Sequence, residues 1–122
     1  MVKAFVIRPG TDGEVIEMES DVTAMQAMVG GWLEMLRPTK GIQAFTGWHA
    51  WCDEEGAMRA AEGNMMATLL AHALGWPGGQ VLVGTVVFVG GEEVDRDVPQ
   101  FVMDMRDEVR ASLGGGGEPQ DD

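Results

Sequence analysis

Val81-Leu82-Val83-Gly84-Thr85-Val86-Val87-Phe88-Val89 is the stretch on which the reading of this sequence turns. It is rich in β-branched residues and apolar at odd and even positions alike. A strand with one wet face alternates, so a strand with none sits centrally and is covered on both sides. Such a strand needs neighbours in the sheet and layers above and below it. On its amino-terminal side, Met66, Leu69, Leu70, Ala73 and Leu74 share one face of a helix that Asn64 is placed to cap and that Gly75 and Pro77 close. On its carboxy-terminal side, Gly90-Gly91 releases an acidic loop, Glu92 to Asp97. Val98, Phe101, Val102, Met105 and Val109 then mark a last amphipathic helix, with Asp97 as its expected cap and Pro99 in its first turn.

Further out, Val2 to Arg8 reads as a strand and Pro9 to Gly13 as the turn after it. Val15 to Glu19 alternates, Ile16 and Met18 facing one side and Glu17 and Glu19 the other, which completes an N-terminal hairpin. Ser20 or Asp21 caps a short helix whose apolar face is Val22, Met25 and Met28 or Val29, and Gly30-Gly31 ends it. Trp32 to Leu36, Ile42 to Phe45 and Trp48 to Cys52 are short strand candidates, and Asp53-Glu54-Glu55-Gly56 is a turn. Strands mixed with about three helices, without strict βαβ alternation, predict an α+β fold. The expectation is one small domain over residues 1–113 with a mainly antiparallel sheet, followed by a flexible, acidic, Gly-rich tail over 114–122.

Charge is the strongest compositional signal. Twenty acidic residues face eight basic ones in 122 residues, a net of −12, or −9 without Glu118, Asp121 and Asp122 of the tail. Phosphate backbones and anionic membranes are bound by clustered Lys and Arg, and the sequence has no such cluster, so direct nucleic-acid and membrane binding are not expected. A macromolecular partner would instead present a basic face. Cys52 is the sole cysteine, which excludes an internal disulfide and suits a reducing, cytoplasmic setting. The apolar run before Arg8-Pro9 is too short for a signal-peptide core.

Candidate chemistry is sparse. His49 and Cys52 are close in sequence, but their odd separation sends them to opposite faces of a strand, and with His72 they fall short of four zinc ligands. No metal and no cofactor is expected. Cys52 is followed by three acids, the reverse of the positive setting that activates a thiol. No phosphate-binding glycine loop is present, and adjacent carboxylates in a turn do not make a focused acid–base pair. Trp48 and Trp51 fall on opposite faces of one strand beside the acidic turn, so one of them is a candidate for an exposed anchor of the kind that dominates protein interfaces.

Three segments in order resemble a known family: Lys3 to Gly10 with Val15 to Met18; Met25 to Glu34; and Cys52 to Gly56, then Asn64, then Val81 to Val87. Together they resemble the bacterial and phage family catalogued as domain of unknown function 3846, over roughly residues 2 to 89, with a looser match in the last helix. Where family members commonly carry a proline two residues before the asparagine, this chain has Glu62. The resemblance implies a phage, prophage or plasmid context and no defined activity. The expectation is a non-catalytic phage or mobile-element accessory protein. It would bind a host or defence protein through an acidic and aromatic surface formed by Trp48, Trp51, Asp53, Glu54, Glu55, Glu92, Glu93 and Asp95, nucleic-acid mimicry being one form of this. The alternative is a small-ligand binder with a pocket around Trp48, Trp51 and Asn64. A surplus of Met and Trp, and short strands leaving sheet edges, point to a homodimer.

Overall fold

The computed structural model describes residues 1–39 and 45–113. The tail 114–122 and most of the Ile42 to Phe45 strand candidate lie outside these; Phe45 is described and belongs to no strand. The element order is β1 (Val2–Ile7), β2 (Glu14–Met18), α1 (Val22–Val29), β3 (Leu33–Leu36), β4 (Trp48–Asp53), α2 (Met65–Ala73), β5 (Val86–Gly90) and α3 (Gln100–Leu113). The strands form one sheet in the order β2-β1-β5-β4-β3, every neighbouring pair antiparallel. This is the single-domain α+β architecture, with its N-terminal hairpin, that the sequence predicts.

β5 is central, as its two-sided apolarity requires, and all five of its residues are buried. It is shorter than the nine-residue run that announced it. Gly84 adopts φ +72°, a left-handed conformation that breaks the extended chain before Val86. Val81 to Val83 therefore peel away from the sheet: Val81 is exposed, and Val83 keeps only an isolated bridge to Gly63.

Two cores flank the sheet. On one face Phe5, Ile7, Leu36, Trp48, Ala50, Cys52, Val86 and Phe88 meet Ala67, Leu70, Ala71 and Leu74 of α2 and Val102 of α3. On the other, Ala4, Val6, Met18, Val87 and Val89 meet Met25 and Val29 of α1, with Leu33 and Trp51 packed against them. The predicted helix faces are partly rotated. Ala73 is exposed and Ala67, Thr68 and Ala71 face inward, because α2 is pinned at its start by Asn64 rather than steered by its largest side chains. Val22 of α1 is likewise exposed.

Local chemistry fixes the helix ends. Asp21 Oδ1 accepts from the Ala24 N–H at 2.7 Å, and Gly30 closes α1 in the left-handed region. Asp97 does not cap α3 as expected. Its carboxylate accepts from the Lys3 N–H at 2.9 Å, and the Val98 N–H donates to the Lys3 carbonyl at 2.8 Å, so residues 97 and 98 are tied to β1. α3 is held at the β1–β2 turn by Arg106, which lies over the Phe5 ring and donates to the Asp12 carbonyl, and by the Arg110–Asp12 ion pair.

Candidate functional site

The strand alternation of β4 sorts the sequence-predicted residues. Trp48, Ala50 and Cys52 enter the core under α2 and α3; His49 and Trp51 enter the α1 side. Trp48 is 1% exposed, packs on Phe88 and donates its indole N–H to the Leu74 carbonyl at 3.2 Å. It is a core residue, and its assignment as a surface anchor is corrected: both faces of this inner strand are covered, so neither odd nor even positions reach solvent freely.

Asn64 is also corrected. Fully buried, it donates through Nδ2 to the carbonyls of Ile7 (2.9 Å) and Gly84 (2.8 Å), while Oδ1 accepts from the Ala67 N–H at 3.1 Å. Both of its N–H donors and one lone pair of Oδ1 serve the fold. Trp48 and Trp51 lie on opposite faces of the sheet, so the residues of the alternative ligand site, Trp48, Trp51 and Asn64, are not brought together on one face.

Asp53, expected as a solvated charge, is largely buried. It pairs with Arg59 at 3.5 Å and accepts from the Glu55 N–H at 2.9 Å, while Arg59 also pairs with Glu55 and donates to the Gly30 carbonyl. These contacts tie the turn after β4 to the end of α1. Glu54, Glu92 and Glu93 remain exposed.

Asp95 turns inward from the loop after β5. Its Oδ1 lies 2.7 Å from His49 Nε2 and accepts from the Trp51 indole N–H at 3.1 Å. His49 is fully buried, and its Nδ1 lies 2.8 Å from the Gly91 carbonyl oxygen. That oxygen only accepts, so Nδ1 carries a proton.

Asp95 also lines a groove of about 280 Å³ between the start of α1 and the loop 92–96. Met25, Leu33 and Trp51 line its apolar part, Val22 and Val94 stand exposed beside it, and Asp21, Glu93 and Asp95 supply its carboxylates. Among the described residues neither Asp21 nor Glu93 is paired with a Lys or Arg. At the other end of α1, Gln26, Ala27, Gly30, Gly31 and Trp32 form a shallower hollow. Trp32, at 59% exposure, is the exposed tryptophan that the sequence reading sought in β4. The available signal was its position directly after Gly30-Gly31, where the chain is still turning and strand alternation does not yet apply.

Cys52 is buried beside Glu34 and Asp53; burial first, and then those two carboxylates, push its thiol up to about 12. A thiol in that state is not an activated nucleophile. His49 and Cys52 face opposite sides of β4, and among the described residues no group of three metal-ligating side chains converges. Also among the described residues, no helix is long and apolar enough to cross a membrane.

A family model described as domain of unknown function (DUF3846) matches residues 2–110, from β1 to within four residues of the end of α3. No curated protein and no solved structure matches the chain.

Proposed function

We propose that this chain, which belongs to the DUF3846 family, is a phage or mobile-element accessory protein that acts by binding rather than by catalysis. It docks on a host or defence protein that presents a basic face. The observation that carries this reading is the surface along α1, where an acidic groove at one end and the exposed Trp32 at the other frame a single helix. Carboxylates that no Lys or Arg among the described residues pairs with raise the encounter rate with a basic partner, and an exposed indole supplies the desolvated contact that slows dissociation. The net charge of −12 supports the same direction of attraction.

The test is capture of a partner from bacterial lysate by the tagged protein across a salt series, with DNA as competitor. Capture is expected to weaken steadily with salt and to be lost on Trp32→Ala. Capture indifferent to salt from low to near-molar concentration overturns the electrostatic reading. Competition by DNA supports the form in which the acidic face occupies a nucleic-acid-binding surface of the partner.

A further inference from the structure

The groove between α1 and the loop 92–96 has a composition that selects its occupant. We propose that it receives one arginine side chain from the partner, an inference that rests on the binding function proposed above. Its volume of about 280 Å³ falls just under the roughly 300 to 1,000 Å³ of pockets that enclose small molecules, and suits a single long side chain. Half-buried Leu33 and Trp51, over a floor formed by buried Met25, offer apolar and aromatic surface to the methylene stem and to the flat face of a guanidinium. Glu93 is exposed with no ion-pair partner among the described residues, so its carboxylate is free for a two-pronged contact.

Asp21 spends Oδ1 on the helix cap, and its Oδ2 has no partner among the described residues. Asp95 spends Oδ1 on His49 and Trp51; its Oδ2 has only a long contact from the Ser20 hydroxyl, at 3.4 Å, and remains an acceptor. The acceptors thus come from two sides of the groove, the helix start and the loop. A planar fork of N–H donors reaches several of them at once, whereas an ammonium is a single point. Asp95 is already engaged by His49 and Trp51, so the attraction comes from Asp21 and Glu93, while Asp95 contributes shape and a hydrogen-bond acceptor.

The test titrates acetyl-arginine amide into the isotope-labelled full chain and follows the Trp51 indole N–H and the Glu93 and Val94 amides by NMR. Acetyl-citrulline amide, uncharged and of the same shape, and acetyl-lysine amide serve as comparisons. Arginine is expected to shift these three signals saturably and citrulline to leave them unmoved. Asp21→Ser, which retains a capping oxygen, and Glu93→Gln are each expected to weaken arginine binding by about twofold to fivefold. Equal shifts from citrulline or lysine, or shifts only outside the groove, overturn the proposal. Salt-sensitive capture of a basic partner that survives both substitutions, with no arginine binding, overturns the groove while leaving the binding function standing.

Discussion

At the scale of single residues, identity announced some roles and concealed others. Asn64 was legible as a helix cap because its side-chain oxygen suits free backbone N–H groups; its second role, holding Ile7 and Gly84 together, joins segments distant in sequence and leaves no local pattern. Trp48, Trp51 and Trp32 are chemically equivalent in the sequence and differ only in which layer covers them. Trp48→Ala is therefore expected to destabilise the fold by about 3 to 5 kcal/mol, by removing a large core side chain. Trp32→Ala should stay within about 0.5 kcal/mol of the parent, and urea denaturation of both variants checks the contrast. Cys52 gives a pH prediction. Its thiol is raised from 9.0 to about 12 in the fold, so the native state keeps the proton longer than the unfolded chain. The stability this contributes is complete below pH 9.0 and is lost as pH rises toward 12. Denaturation midpoints across this range should fall more steeply for the parent than for Cys52→Ala, and a native thiol-alkylation assay at pH 8 should find Cys52 unreactive.

Among the elements, those with strong periodicity or punctuation were readable: the N-terminal hairpin, the Gly30 stop of α1, and α3. The loop after β5 was not. Its acids, Glu92, Glu93 and Asp95, look alike in sequence, yet the chain turns back so that Gly90 and Arg96 bond each other in both directions, at 2.9 and 3.0 Å. A Cβ on Gly90 would collide with the Asp97 carbonyl oxygen, so the return of the loop depends on that glycine. This turn aims Asp95 at His49 and Trp51 while leaving Glu92 and Glu93 in solvent. Asp95→Ala removes the partner of His49 Nε2 and of the Trp51 indole N–H and is expected to cost about 1 to 3 kcal/mol. Hydrogen exchange should accelerate first at Gly90 to Arg96 and in the first turn of α1, before β1 and β4 respond. Uniform acceleration across the whole sheet would show that the loop is not fastened by this contact.

For the molecule as a whole, the central position of β5 followed from the Val81 to Val89 composition, and the antiparallel sheet from strands mixed with helices without strict βαβ alternation. The two-sided covering of β4 did not, because that strand is short and carries polar residues on one of its buried sides. The outer edges of β2 and β3 end the sheet, and the homodimer expected from the sequence would pair such edges. Since each copy carries a net charge of −12, salt should favour that association, opposite in sign to its effect on a basic partner. Light scattering with rising ionic strength is expected to show growing mass, and a constant monomer mass would exclude the dimer. The strand order also has a consequence for how the chain reaches its shape. Each hairpin, β1–β2 and β3–β4, is sequential, but the two meet only through β5, the last strand to be synthesised. Until residues 86–90 leave the ribosome, the sheet is two separate ribbons with unsatisfied inner edges, so its completion is expected to be gated by one late insertion.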